Sequence, residues 1–129
     1  MKTFTFRYDP HPRRSALAGI EKSIKTGVIQ IERDSIACKS IEDMMKIMTK
    51  SRFQVFAAIV ESNPESLTGL AKVLEKDLGN VLRDVKVLES LGLIELQKTP
   101  GLRREKTKAI ARYERIIFEC EPKRIQKAS

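Results

Sequence analysis

The chain has 129 residues, of which 41% are hydrophobic and 33% are charged, and its net charge at pH 7 is +8. This length suits one domain with an appendage, and the apolar fraction is enough for a modest packed core. No apolar run approaches the roughly 20 residues that a membrane-spanning helix needs, and the first residues alternate instead of forming a signal peptide. We therefore expect a folded, cytoplasmic protein without a membrane segment.

The basic residues are concentrated at the two ends of the chain. Residues 1–39 have eight Lys or Arg against four Asp or Glu, and residues 93–129 have ten against five. Residues 63–92 have four against five, so the stretch between the ends is close to neutral. This distribution favours a polyanionic partner such as nucleic acid, although basic termini also serve to keep small proteins soluble.

The first 39 residues are predicted to form a small β-α-β segment. Residues 2–8 alternate polar and apolar side chains and predict a strand, residues 15–26 have helical periodicity, and residues 28–32 predict a second strand. A segment of this size cannot bury its own apolar face. We therefore interpret residues 1–39 as an extension that mediates dimerisation or binds another partner.

Three helices are predicted to follow this extension. Ser40 precedes an acidic first turn, which predicts a helix over residues 41–48 with a methionine-rich apolar stripe. Apolar residues at helical spacing predict a second helix over residues 51–62 and a third over residues 66–76. A further helix begins after a short break.

This further helix, predicted over residues 77–91 with Asp77 as its N-cap, has two distinct faces. The apolar face is formed by Leu78, Val81, Val85 and Leu88. The opposite face is polar and basic, and consists of Gly79, Arg83 and Lys86 with Asn80 and Leu82 on its flanks. An outward basic face on the second of two helices joined by a short turn is typical of a helix-turn-helix motif.

The residues of the outward face match the chemistry of DNA recognition. In a helix-turn-helix the second helix lies in the major groove. We expect Arg83 to bind guanine or a phosphate, Asn80 to bind adenine or a phosphate, and Leu82 to contact a thymine methyl group. Gly79 would let the backbone approach a phosphate. Asp84 and Glu89 are not expected at the groove, and we expect Asp84 to pair with a basic residue of the same domain or to cap locally.

A strand, a basic loop and a second strand follow the helix. Residues 93–98 predict a strand, residues 99–101 predict a turn, and residues 110–120 predict a long strand. The basic side chains between the two strands are Arg103, Arg104, Lys106 and Lys108. A basic hairpin directly after a recognition helix is interpreted as a wing, here over residues 97–108, that contacts phosphates beside the groove.

The predicted fold is therefore α+β, with a winged helix-turn-helix domain over residues 40–120, the β-α-β extension over residues 1–39 and a basic tail over residues 121–129. The predicted function is a transcriptional regulator that binds double-stranded DNA. Its recognition helix, residues 77–91, would lie in the major groove, with the wing on the phosphates.

The stretch SLTGLAKVLEKDLGNVLRDVKVLESLGLIEL resembles the winged helix-turn-helix regulators of the MarR/ArsR superfamily. More narrowly, it is similar to a group of small prokaryotic DNA-binding proteins that are described as transcriptional regulators or as antitoxin-like partners of small toxins. The resemblance covers roughly residues 36–118 and implies a winged helix that binds DNA. The residues that carry it are Leu70-Ala71, Asn80-Val81, Arg83-Asp84-Val85, Leu88 and Gly92-Leu93-Ile94. The chain departs from the pattern at Gly69, at Leu82 and in its wing, which is longer and more basic than usual.

Other classes of function find less support in the residues. His11 is the only histidine, Cys38 and Cys120 lie in no metal-ligand spacing, and no glycine-rich phosphate loop is present. We therefore expect no enzyme, no cofactor and no metal site. The main alternative is an antitoxin that neutralises a small toxin through residues 1–39 and represses its own operon. Architectural binding without sequence preference is a further alternative.

A regulator of this kind is expected to act as a homodimer, because one winged helix covers only one half-site of a palindromic operator. Strands 2–8 and 28–32 are expected to offer unpaired edges. Residues 1–39, with or without the helix over 41–48, are therefore the predicted self-association surface. The alternative is that this segment folds back on the DNA-binding domain.

Overall fold

The computed structural model describes residues 2–8, 29–32, 34–100 and 106–120, and within these ranges the fold is α+β, as predicted. The elements in chain order are β1 (Thr3–Tyr8), β2 (Ile29–Glu32), β3 (Ser35–Cys38), α1 (Ile41–Ile47), α2 (Lys50–Ser62), α3 (Leu67–Leu74), α4 (Leu78–Ser90), β4 (Ile94–Thr99), β5 (Lys106–Ala111) and β6 (Arg115–Glu119). The predicted helix over 15–26, the basic pair Arg103 and Arg104, and the predicted tail over 121–129 lie outside the described residues. None of the described helices has the length and apolarity needed to cross a membrane.

The chain divides into two compact units. Residues 1–48 and 115–129 form one, called here the N-terminal unit, and Thr49–Glu114 forms the other, called the central unit. This division differs from the predicted boundaries at residues 39 and 120, because α1 and β6 belong with the N-terminal strands. The physical reason is that β6, near the end of the chain, pairs with β1, near its start.

The N-terminal unit contains a four-stranded sheet in the order β2-β3-β1-β6. β1 is parallel to both of its neighbours, whereas β2 and β3 form an antiparallel pair. Phe4, Phe6 and Tyr8 are buried and alternate with partly exposed residues, as a strand with one covered face requires. α1 packs against β1 and β3. β3 was not predicted from the sequence; it follows Asp34, whose φ of 65° allows the turn after β2.

The strand predicted over residues 110–120 is wrong as a single element. β5 ends at Ala111, which pairs with Ile94, and β6 begins at Arg115, whose backbone N–H donates to the Lys2 carbonyl oxygen at 3.3 Å. β6 therefore belongs to the N-terminal sheet. The predicted open edge along residues 2–8 is also wrong, because β1 has β3 on one side and β6 on the other.

The central unit consists of α2, α3 and α4 with the antiparallel hairpin of β4 and β5. Its helices pack on one another, and β5 packs against α2 and α3. The buried apolar side chains include Val55, Ile59, Leu70, Val81, Val85, Leu88, Leu91, Leu93, Ile94 and Ala109. Full burial of one large apolar side chain contributes about 1.5–3 kcal/mol, so this core is the main source of stability in the unit.

Local signals at the helix ends explain where these helices begin and end. Thr49 Oγ1 accepts a hydrogen bond from the Arg52 backbone N–H at 3.3 Å, and Ser66 Oγ accepts one from Gly69 N–H at 3.0 Å. α2 ends at Asn63, which adopts the left-handed conformation with a φ of 43°. α4 is followed by Gly92, whose φ of 81° favours glycine and directs the chain into β4.

Candidate functional site

α4 has the two faces that its sequence predicts. Val81, Val85 and Leu88 are buried in the core of the central unit. The predicted contact residues Gly79, Asn80, Arg83 and Lys86 are exposed, and Leu82 is partly exposed. Leu78 departs from the prediction, since it remains 38% exposed at the first turn instead of joining the apolar face. Gly79, Arg83 and Lys86 follow a spacing of four and three residues, so they form one stripe along the helix.

The start of α4 leaves its backbone accessible. Asp77 occupies the N-cap position, as predicted, but its side chain makes no capping hydrogen bond with the helix backbone. A Cβ on Gly79 would lie 3.1 Å from Asp77 Oδ2. Because this carboxylate is the end of a side chain that can turn away, packing does not require glycine at this position. The glycine instead leaves one position of the exposed first turn, between Leu78 and Asn80, without a side chain.

The buried face of α4 contains one charged residue, Asp84, which is 9% exposed. Asp84 Oδ2 accepts a hydrogen bond from Ser51 Oγ at 2.6 Å, and Asp84 Oδ1 lies 3.4 Å from Arg52 Nε in an ion pair. Both partners are in the first turn of α2. The prediction that Asp84 pairs with a basic residue of its own domain is therefore confirmed, and its negative charge is turned away from the exposed stripe.

Lys76, in the turn between α3 and α4, extends this polar cluster. Its Nζ donates to Ser51 Oγ at 3.2 Å and to Gln54 Oε1 at 2.8 Å. Together with the Asp84 contacts, these bonds connect the start of α2 to the α3–α4 turn and to the middle of α4. The cluster was not predicted as a unit. The signal that could have found it is the position of Asp84 between Val81 and Val85 on the apolar face, where a charge requires a partner.

The hairpin presents lysines near its tip. The pairing register places Lys108 opposite Gln97 and Lys106 opposite Thr99, so both lysines lie on one face of the hairpin. Ala109 and Ile94, on the other face, are buried. Lys106 is exposed and Lys108 is partly exposed. Lys98, also exposed, was not among the predicted contacts; it pairs with Thr107 near the same tip.

The described residues show no grouping of three His, Cys, Asp or Glu side chains that could hold a metal ion. Cys38 is buried and Cys120 is exposed, and both thiols are free. Burial raises the pKa of Cys38 from 9.0 to about 12, with smaller contributions from Asp43 and Cys120. The Cys38 thiol is therefore neutral at physiological pH.

The chain belongs to the HVO_A0114 family, whose model matches residues 47–118. This segment includes every residue that the sequence predicts as a DNA contact. No curated protein and no solved structure matches the chain.

Proposed function

We propose that the central unit is a winged helix-turn-helix domain that binds double-stranded DNA, with α4 as the recognition helix and the β4–β5 hairpin as the wing. The observation that carries this proposal is the exposed stripe of Gly79, Arg83 and Lys86 on α4. The Asp84 carboxylate, next to Arg83 in the sequence, is buried and paired, whereas Glu89 is exposed in the last turn of the helix.

The arrangement of elements supports the proposal. α3 and α4 are joined by a turn of a few residues, α2 packs on both helices, and a hairpin follows α4 directly. In a helix-turn-helix the second helix enters the major groove while the preceding helix supports it. β4 spans roughly 17 Å at about 3.3 Å per residue, a length suited to reaching the phosphates beside that groove.

The surface chemistry supports it as well. Residues 63–92 are close to neutral in sequence, but charge is separated in three dimensions, because the Asp84 carboxylate lies against Ser51 and Arg52. Arg83 has a planar guanidinium that can form two parallel hydrogen bonds with guanine or a phosphate. Lys86 would contact the phosphate backbone, and Asn80 offers an amide that suits adenine.

The hairpin would contribute affinity without sequence preference. Lys106 and Lys108 share one face, and Lys98 lies near the same tip. Lysines at such a tip act as point charges that neutralise phosphates and release counterions. The same surface would serve a transcriptional regulator or an autorepressing antitoxin. These two hypotheses differ in whether residues 1–39 bind a second protein.

Substitution of Arg83 tests the proposal. DNA ligands are first selected from a random pool at physiological salt, and affinity is then measured by fluorescence anisotropy. Arg83→Ala is expected to weaken binding to the selected sequence by about 1–3 kcal/mol and to relax the preference at one base position. The matched control is Arg112→Ala, which removes an exposed arginine at the base of the hairpin and should change affinity by less than about 0.5 kcal/mol.

A second set of substitutions tests the role of the wing. Replacement of Arg103, Arg104, Lys106 and Lys108 by alanine should weaken binding to selected and random DNA equally and reduce the salt dependence of the association constant. If no sequence is enriched and Arg83→Ala acts like the control, the recognition-helix proposal is wrong. If both sets of substitutions cause equal losses on all DNA, architectural binding replaces it.

A further inference from the structure

β6 is an edge strand of the N-terminal sheet. It pairs with β1 on one side, and no strand among the described residues pairs with its other side. Edge strands are templates for pairing with another chain unless they are blocked by proline, bulges or unmatched charges. The sequence of β6 is RIIFE, which contains no proline and has one charge of each sign at its two ends.

The hydrogen bonds of β6 determine which backbone groups face outward. Arg115 N–H donates to the Lys2 carbonyl oxygen, so the backbone groups of residue 115 are directed at β1. Because successive residues of a strand alternate, those of residues 117 and 119 are directed at β1 as well. The N–H and C=O groups of residues 116 and 118 are directed away from β1.

This alternation restricts how two copies of β6 could pair as antiparallel strands. Residues that exchange hydrogen bonds must both be directed outward, so residue 116 must face residue 116 or 118 of the second copy. A two-fold axis through Ile117 places residue 116 opposite residue 118 and uses the whole strand. An axis through residue 116 or residue 118 leaves one end of the strand unpaired.

The axis through Ile117 also matches the charges. It places Arg115 opposite Glu119 of the second copy, and Glu119 opposite Arg115. These are non-hydrogen-bonded pairs, in which directly opposed side chains approach most closely and opposite charges attract. With the axis at residue 116 or 118, Arg115 does not oppose Glu119. The five-residue strand is therefore self-complementary in one register.

The apolar side chains agree with the same register. Ile116 and Phe118 lie on the face of β6 that continues the row of Phe4 and Phe6. Phe118 stacks on Phe6 with ring centroids 5.2 Å apart and is still 44% exposed. Pairing through Ile117 would place Ile116 of one copy beside Phe118 of the other, which extends an apolar row across the two-fold axis.

We propose that two copies of this chain associate through antiparallel pairing of their β6 strands, centred on Ile117, to form a continuous eight-stranded sheet. The other edge strand, β2, has the sequence IQIE and a single charged residue. Two antiparallel copies of β2 therefore could not place opposite charges against each other. The dimer surface is thereby moved from residues 1–39 to the strand Arg115–Glu119. This inference does not depend on DNA binding.

Charge reversal tests the pairing in the full-length protein. A short paired edge buries little area, so the dimer is expected to dissociate at roughly micromolar concentration, within reach of sedimentation equilibrium. Arg115→Glu alone and Glu119→Arg alone each place like charges opposite one another twice in the dimer. Each should raise the dimer dissociation constant roughly tenfold or more. The double variant R115E/E119R should restore it to within about threefold of the wild-type value.

A mixture of the two single variants provides the most selective result. A heterodimer of Arg115→Glu with Glu119→Arg has opposite charges at both pairs, so the mixture should form heterodimers even though each variant alone is largely monomeric. The matched control is Arg112→Glu, the same change at an exposed residue outside β6, which should leave the dissociation constant unchanged. Circular dichroism verifies that each variant is folded.

The outcomes decide the proposal. A wild-type protein that is monomeric at about 200 μM, roughly two hundred times the expected dissociation constant, would overturn it. Single variants that dimerise like the wild type, or a double variant and a mixture that remain monomeric, would also overturn it. Because all measurements are made without DNA, they are independent of the outcome for Arg83.

Discussion

The buried carboxylate of Asp84 gives the sharpest stability prediction. It is 9% exposed and joins α4 to the first turn of α2 through Ser51 and Arg52. Replacement by alanine removes the acceptor of the 2.6 Å bond and leaves the Arg52 guanidinium without this carboxylate. We expect Asp84→Ala to destabilise the central unit and to loosen the position of α4.

The magnitude follows from the separate contacts. A hydrogen bond to a charged group contributes about 1.5–3 kcal/mol. The ion pair adds less than about 1 kcal/mol, because Arg52 keeps 22% exposure and its Nε is 3.4 Å from the carboxylate. Ser51 retains its bond from Lys76, which limits the loss. Asp84→Ala should therefore lower the free energy of unfolding by about 2–3 kcal/mol.

Urea denaturation followed by circular dichroism measures this effect, since the chain has no tryptophan. Asp84→Asn keeps an oxygen that can accept from Ser51, so it should cost about 1 kcal/mol. Asp77→Ala removes the same charge from an exposed residue that makes no side-chain cap bond, and should cost less than about 1 kcal/mol. A double-mutant cycle of Asp84→Ala with Ser51→Ala should show a coupling of about 1–2 kcal/mol.

An Asp84→Ala cost below about 1 kcal/mol, or one equal to that of Asp77→Ala, would refute the reasoning, because a buried and paired carboxylate cannot be lost at so little cost. A coupling near zero with Ser51 would show that the 2.6 Å contact does not contribute. If stability falls as expected but DNA affinity per folded molecule is unchanged, the cluster stabilises the fold without orienting α4 for binding.

Three further predictions concern the two thiols and the backbone at two glycines. In the native protein a neutral-pH alkylating reagent should modify exposed Cys120 and leave buried Cys38 unmodified, as mass spectrometry can verify. Burial raises the pKa of Cys38 from 9.0 to about 12, so the stabilisation by the neutral thiol is complete below pH 9 and is lost as the pH rises towards 12. Cys38→Ala should therefore lose less stability than the wild-type protein over that pH range. Equal losses in the two proteins would contradict this. Gly92→Ala should lower the free energy of unfolding by about 1 kcal/mol, because Gly92 has a positive φ that alanine disfavours. Gly79→Ala, at a helical position, should not lower it. Similar losses at both positions would show that the positive φ of Gly92 is not the cause.

Much of the candidate site follows from local pattern. Helical periodicity over α4 is enough to separate Val81, Val85 and Leu88, which are buried, from Arg83 and Lys86, which are exposed. The local period is sufficient because a helix that packs on one side must expose the other. Whether the exposed stripe binds DNA stays a prediction.

The sequence by itself determined the existence of the four described helices and the outward face of α4, because these depend on residues within one or two turns of each other. Only the tertiary structure decided the partners of Asp84, since Ser51 and Arg52 lie on a helix distant in the chain. It also decided that the apolar segment after Tyr113 pairs with β1 instead of extending the hairpin. A run such as RIIFE favours a strand but does not specify a neighbour, because sheet pairing is set by contacts between distant segments that compete for the same edge.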